Sequence, residues 1–297
     1  MSRIMVEAAG SLTSSYIINS IKSTGHAAVA TDIDPESVGR HLADDFFRVP
    51  GKDAHDLWER TRDLLQRHNI DLVIPSLDET LKGWAERKSE FAETGTHVLV
   101  SPPDTLRVTQ DKWRTYQFFR QHKIPTPETS LDQTFPLVKP RRGRGGQGVG
   151  TPSGAVDMEG KISQELVQGQ EYTVDVFCAE NGEPIYIVPR KRLKVVDGKS
   201  VNGETVKNEK VVEYVKRICN KLELFGPINI QCFENKKGIK FIEINPRIGG
   251  GMALSFEATE NWIELAIDHF LEGEGVSPKV VNYGIKMMRY YDEVFIE

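Results

Sequence analysis

The sequence predicts an α/β protein that turns to α+β in its C-terminal part. Over the first ~100 residues, short apolar runs alternate with amphipathic stretches, which is the pattern of parallel strands covered by helices. From residue 135 onward, β-branched and apolar runs follow one another with turn residues between them, and helices become occasional.

Residues 3–8 (RIMVEA) read as a first strand, punctuated by Gly10, and Ser14 caps a helix to about Thr24. AAVATDI forms a second strand ending near Asp32. Residues 55–68 form an amphipathic helix with Leu57, Trp58, Thr61, Leu64 and Leu65 on one side. DLVIP is a short buried strand leading to a loop with Asp78 and Glu79. This first part reads as a Rossmann-like domain. Its first turn, AAGSLTSS, has one glycine where a dinucleotide fingerprint needs three, so no dinucleotide is expected there. SPPDT (101–105) reads as a linker, and DKWRTYQFFRQH as a helix with Asp111 near its start. The strands FPLVK, KISQELV, EYTVDVFCAE and PIYIVPRKR follow. A helix over 208–222, the paired strands PINIQCFE and IKFIEIN, and one helix over about 257–272 complete the chain.

Of 297 residues, 39% are hydrophobic and 27% charged, which suits a water-soluble globular chain of roughly two domains. The net charge of −5 disfavours broad binding to nucleic acid, so a polyanion has to be met locally. The three cysteines form no C-x-x-C pair, and this predicts a reducing cytoplasm. No apolar run is long enough for a membrane span, and MSRIMVEAAG lacks a signal peptide's apolar stretch. The histidines show no zinc spacing.

The segment VKPRRGRGGQGVG (138–150) allows three readings. A Gly/Arg tract can be a flexible linker or an RNA-binding element, but this one is a single burst without repetition. Gly143, Gly145 and Gly148 satisfy G-x-G-x-x-G, yet TPSGAVD follows where a helix should start. The third reading is a glycine hairpin whose bare N–H groups cover phosphates, with Lys139 on the preceding strand pairing with them. No P-loop pattern is present.

KFIEIN carries the chemistry. Strand alternation puts Phe241, Glu243 and Asn245 on one face, and Ile242 and Ile244 on the other as core. Gln231 on the neighbouring strand can face the same way. Three oxygen-bearing side chains suit a hard cation such as Mg²⁺, which keeps waters and needs few carboxylates. Arg247, just past Pro246, adds a rigid cationic fork for a phosphoryl group, and Gly249-Gly250-Gly251 adds bare backbone.

The order of these parts, with PINIQCF and FIEINPRIGGGMALS closest, resembles the ATP-grasp superfamily. Within it the chain resembles the synthetase domains of the carbamoyl-phosphate synthase large chain and related carboxylate–amine ligases. The resemblance implies a Rossmann-like pre-ATP-grasp domain over 1–105, a small ATP-grasp lobe with the flap over 106–170, and a large lobe with the metal site over 171–297. It implies ATP and Mg²⁺ as cofactors, with two ions and with Mn²⁺ as a substitute. Lys112 and Lys139 resemble the lysines on the phosphates, and Gly143, Gly145, Gly146 and Gly148 the flap. Gln164, Glu165, Leu166 and Val167 resemble the adenine hinge, and Glu171 the ribose acid. Gln231, Glu243 and Asn245 resemble the metal ligands, and Arg247, with Lys139, the catalytic cations. The chain departs from the family in two ways: Gln164 replaces a common acid, and the stretch from Val149 to Gln164 is too short for a helix that relatives have.

The implied reaction forms an acyl-phosphate from a small carboxylate and transfers the acyl group to an amine. Partners would be these small molecules, with no nucleic acid or membrane, in a cytoplasmic protein that forms a homodimer. Asp78 and Glu79 are candidates for a substrate ammonium, set against a role as a capping or solvated acidic pair. Arg190 and Arg192, in the basic run PRKRLK, are candidates for a carboxylate or phosphate, each set against a solvated basic loop; Gly249 and Gly250 are further substrate candidates. Two alternatives are one synthetase half of a split carbamoyl-phosphate synthase, and an ATP-binding regulatory protein without turnover.

Overall fold

The computed structural model describes residues 1–196 and 198–296. The chain divides into two compact units. One comprises Met1–Pro102, Thr259–Lys279 and the tail from Tyr290; the other comprises Pro103–Ala258 and Val280–Arg289.

The first unit runs β1 (Arg3–Val6), α1 (Ser14–Lys22), β2 (Ala27–Asp32), α2 (Gly39–Leu42), β3 (Asp45–Arg48), α3 (Leu57–Arg67), β4 (Leu72–Ile74), α4 (Leu81–Glu93) and β5 (His97–Val98). Its strands form a parallel sheet of order β3-β2-β1-β4-β5. The central strands β1, β2 and β4 are almost wholly buried, as strands with both faces covered must be. Ser14 is not the cap of α1. Thr13 holds that position, while Ser14 is buried and donates to the Ala8 carbonyl at 2.9 Å.

Glu7, just past β1, pins the loop that follows β4. Its carboxylate accepts hydrogen bonds from Thr80 Oγ1 (2.7 Å), Trp84 Nε1 (3.1 Å) and the Ser76 and Leu77 N–H groups (3.2 Å each). Burial pushes its pKa above the ordinary carboxylate value, against the opposing effect of those donors.

The second unit begins with α5 (Pro103–Thr109) and α6 (Lys112–Gln121), continues through β6 (Thr129–Ser130), β7 (Leu137–Pro140), β8 (Lys161–Gln164), β9 (Gln170–Cys178), β10 (Pro184–Val196) and β11 (Lys199–Thr205), then α7 (Glu209–Cys219), β12 (Gly226–Asn235), β13 (Gly238–Asn245) and α8 (Ala253–Ala258). After α9 (Trp262–Phe270), which belongs to the first unit, β14 (Lys286–Met288) rejoins the second. The expected linker at 101–105 is therefore the start of a helix, because proline fits a first helical position, where no N–H is needed. The single helix expected over 257–272 is two helices. Asn261 breaks it by accepting from the Ile263 N–H at 3.0 Å and capping α9.

Two antiparallel sheets build this unit: a three-stranded one of order β6-β8-β7, and a six-stranded one of order β13-β12-β9-β10-β11-β14. α6 and α7 cover one face of the larger sheet. Val211, Val215, Ile218 and Cys219 of α7 meet Val174, Val176, Ile228, Ile230 and Ile244 there.

In the first unit, Gly83 on α4 faces Trp58 of α3, which stands edge-on to Trp84 at 5.2 Å. A Cβ at Gly83 would lie 1.9 Å from Trp58 Cζ2. Alanine is the better helix former by ~1 kcal/mol, but displacing a packed indole costs ~1–3 kcal/mol. Gly83→Ala is therefore predicted to destabilise the protein, measured as a lower urea midpoint.

Candidate functional site

The site is built on the face of the six-stranded sheet turned away from the apolar core. Residues paired across neighbouring strands share a face. Register therefore aligns Glu243 (β13), Gln231 (β12), Thr173 (β9), Arg190 (β10) and Thr205 (β11) in one row. Asn245, Asn229 and Asp175 form the next row.

Phe241 does not share this face, contrary to simple alternation. Cys232 pairs with Phe241 and Gln231 with Glu243, leaving Ile242 as the extra residue of a β-bulge. The bulge resets the parity: Phe241 and Ile244 are both sealed in the core, while Ile242 is only half-buried.

Asn245 Nδ2 donates to Glu243 Oε1 and to Asn229 Oδ1, each at 3.1 Å. Both donations orient the amide so that Asn245 Oδ1 is left to accept. Glu243 keeps its second oxygen, and Gln231 makes no side-chain hydrogen bond among the described residues. One carboxylate and two amide oxygens on adjacent strands fit a hard divalent cation. No cluster of three His, Cys, Asp or Glu forms among the described residues.

Lys139 lies on β7 and is 6% exposed. Its ammonium donates to Gln164 Oε1 at 2.8 Å, and Gln164 Nε2 donates to Thr129 Oγ1 at 2.9 Å. Burial lowers the ammonium's pKa to about 8; the nearby Glu243 carboxylate opposes this and the Lys112 ammonium adds to it. Lys139 thus lies within electrostatic reach of both Glu243 and Lys112.

The flap follows β7. Gly143, Gly145, Gly146 and Gly148 all have positive φ, which suits glycine. Its base is held at three points. Lys112 Nζ donates to the Gly143 carbonyl at 2.9 Å, and the Lys112 N–H to the Arg141 carbonyl at 2.9 Å. Arg141 also grips Asp111, the cap of α6, through Nε (3.2 Å) and Nη2 (2.5 Å). Among the described residues no helix lies between the flap and β8.

At the hinge, β8 ends at Gln164. The Glu165 N–H is spent on the Glu128 carbonyl at 2.8 Å, and the Glu165 side chain pairs with Lys240. Leu166 is exposed, and the Glu165 carbonyl and Val167 N–H have no hydrogen-bond partner among the described residues. Glu171, on β9, is ion-paired with Arg192.

Arg190 is on a strand and not in a solvated loop. It is buried and bidentate to Asp175, through Nε (2.6 Å) and Nη2 (3.1 Å), and Asp175 also accepts from Ser255 Oγ at 2.6 Å. The glycine run lies flat on these groups. A Cβ at Gly249 would be 2.7 Å from Asn229 Nδ2, and one at Gly251 would be 2.5 Å from Arg190 Nη1. Gly250 sits half-buried in the turn between them. Arg247 opens this loop; its carbonyl accepts from Asn229 Nδ2 at 3.3 Å and its Nη1 donates to the Ile248 carbonyl at 3.2 Å. Asp78 and Glu79 belong to the first unit, on the loop pinned by Glu7. Sequence reasoning missed Asn229 and Asp175. The available signal was spacing, because Asn229 is two residues before Gln231 on the same strand.

Two family descriptions match. Residues 158–292 match "ATP-grasp in the biosynthetic pathway with Ter operon", and residues 5–99 match "PylC-like, N-terminal domain". The chain is 25% identical over 191 residues to a carbamoyl-phosphate synthase of Methanobrevibacter smithii, covering 57% of this chain and 50% of that protein. It is 23% identical over 268 residues to the 3-methyl-D-ornithine–L-lysine ligase of Methanosarcina acetivorans, covering 86% of this chain and 69% of that one. The chain therefore spans about half the length of the first relative. Among solved structures, the biotin carboxylase domain of Hydrogenobacter thermophilus 2-oxoglutarate carboxylase, complexed with MgADP and bicarbonate, superposes with a TM-score of 0.75 at 14% identity, covering 96% of this chain and 73% of that one. N5-carboxyaminoimidazole ribonucleotide synthetase of Thermotoga maritima does so with a TM-score of 0.65 at 24% identity, covering 88% and 74%. With a parallel N-terminal sheet, two antiparallel C-terminal sheets and family matches over both parts, the chain has the ATP-grasp fold, and its residues 158–292 match an ATP-grasp family.

Proposed function

We propose that the protein is an ATP-dependent, ADP-forming ligase that activates a small carboxylate as an acyl-phosphate and passes the acyl group to an amine. The observation that carries this reading is the single polar sheet face on which Glu243, Gln231 and Asn245 converge, with Glu243 within electrostatic reach of Lys139. Support also comes from relatives whose names describe a carbamoyl-phosphate synthase and an amino-acid–amino-acid ligase.

In this reading Glu243, Asn245 and Gln231 hold Mg²⁺, as two ions or with Mn²⁺ in its place; the metal supplies charge neutralisation on the phosphates. Lys139 and Lys112 bind the phosphate oxygens, and Arg247 steadies the transferring phosphoryl group and the acyl-phosphate. The Glu165 carbonyl and Val167 N–H read the adenine edge, and Glu171 receives the sugar hydroxyls. The glycine flap excludes water while the acyl-phosphate exists. No side-chain nucleophile is required, because phosphoryl transfer is served by positioning and charge. Asn229 positions Asn245 and the Arg247 loop, and the Arg190–Asp175 pair supports the glycine run.

ADP release, screened over pooled amino acids and small carboxylates with Mg²⁺, tests the reaction. Glu243→Ala is expected to lower turnover by at least about 10³-fold, in the range seen when a group stabilising transition-state charge is removed, while the melting temperature changes little. Near-normal turnover in that variant would remove Glu243 from the metal site.

Lys139 gives a pH test. In the nucleotide-free protein its ammonium loses its proton near pH 8, so MgATP affinity should weaken as pH rises through that value, by up to about tenfold per pH unit. A carboxylate at position 164 favours the charged amine, so Gln164→Glu should move the break upward. Calorimetric titration of MgATP from about pH 6.5 to about pH 9.5 reads both effects. A flat profile in the unmodified protein would exclude Lys139 as a phosphate ligand.

A further inference from the structure

A continuous set of contacts joins Glu171 to the flap. The Glu171 carboxylate is ion-paired with Arg192 Nη1. Arg192 Nη2 donates to the Gly198 carbonyl at 2.7 Å, at the turn between β10 and β11. Gly198 has φ +71° and lies so close to the flap that a Cβ there would be 2.6 Å from both the carbonyl carbon and oxygen of Gly145. Gly145 is itself held at φ +66°. The Arg192 side chain is 7% exposed, and among the described residues its buried Nε has no hydrogen-bond partner. The guanidinium is therefore fixed by one carboxylate on one side and one turn carbonyl on the other.

From this geometry we infer that Arg192 is a positioning residue that couples occupancy of the nucleotide-sugar site at Glu171 to the seating of the glycine flap; this rests on the ligase reading above. A carboxylate can accept up to about four hydrogen bonds, so Glu171 can take sugar hydroxyls while still paired. Sugar hydroxyls on Glu171 restrict its rotamer, and with it the planar fork of Arg192. The fork holds the Gly198 carbonyl, and Gly198 abuts Gly145. A nucleotide without sugar hydroxyls makes the phosphate contacts but does not tighten this connection. The coupling is a free-energy difference between two flap states, measurable without knowing the acceptor substrate.

The flap reports its own position, because Arg142 and Arg144 are exposed trypsin sites within it. The experiment is limited trypsin digestion of the full chain, with cleavage at these two arginines followed by mass spectrometry. The conditions are no nucleotide, MgATP, and Mg²⁺ with 2′,3′-dideoxy-ATP, and thermal stabilisation is measured in parallel. In the unmodified protein MgATP should slow flap cleavage by about tenfold or more, within the usual range of coupling strengths, and the dideoxy analogue should slow it less. In Arg192→Lys the two nucleotides should protect equally, because an ammonium cannot span both partners as the fork does. Gly198→Ala, which leaves the ion pair intact but forces a methyl against Gly145, should also equalise them. It decides the matter if the arginine variant fails to fold. A sugar-dependent difference that persists in these variants overturns the coupling. So does unmodified protein that ATP stabilises thermally without any sugar-dependent change in cleavage. Unmodified protein with no response to ATP by either measure overturns the ligase reading, and the coupling with it.

Discussion

The extra residue at Ile242 is the constraint on which the polar face depends. Without it, strict alternation along β13 would force a choice between Phe241 in the core and Glu243 on the opposite face. With it, Phe241 packs near Phe119 and Tyr214 at centroid distances of 6.2 and 5.8 Å, Ile244 stays sealed, and Glu243 and Asn245 face away together. The register is held from both sides. A slip by one residue would expose side chains worth about 1.5–3 kcal/mol each and bury a carboxylate at a cost of several kcal/mol. A short polar cluster thus keeps its geometry because the apolar face beneath it has no other solution.

The rest of that face obeys a second requirement, that charges placed on a covered sheet find partners. Arg190 with Asp175 and Arg192 with Glu171 are such pairs, each between the neighbouring strands β10 and β9. Once charges are paired flat against the sheet, the chain crossing them needs little volume. This explains Gly249 and Gly251: their missing side chains leave room for Asn229 and Arg190. The loop is therefore held by close packing, and Arg247 enters it already anchored through Asn229.

Much of this was legible in the sequence, and for stated reasons. Strand–helix alternation over the first part leads directly to a parallel sheet, and the order of flap, hinge and EINPR leads to the fold family. The bulge was not read, because alternation along KFIEIN simply leaves Phe241 beside Glu243 and Asn245; the extra residue shows only against the register of β12. The Asp175–Arg190 pair was hidden by its separation along the chain, so Arg190 read as part of a basic run. SPPDT read as a linker because proline is equally at home before a helix and at its first position. In each miss the deciding fact was a partner distant in sequence.

Lys139 shows why the unpaired charge belongs where it is. Its ammonium is buried and has an amide for a partner, where a carboxylate would have neutralised it. An ammonium so placed weakens the folded state, and this is why its pKa falls to about 8. On the larger sheet Arg190 and Arg192 are matched with acids, whereas Lys139, on the three-stranded sheet, has an amide as its hydrogen-bond partner. A fully neutralised lysine would have to surrender its partner before it could serve a phosphate. One held by an amide keeps its hydrogen bond, while the nearby Glu243 carboxylate only partly offsets the cost of burial. A polyanion arriving beside it restores the favoured protonation state and recovers what burial costs. Under the proposed reaction, part of what burial costs this ammonium would return as affinity for a phosphate, which is the physical sense in which a buried lysine held by an amide would be preorganised for one.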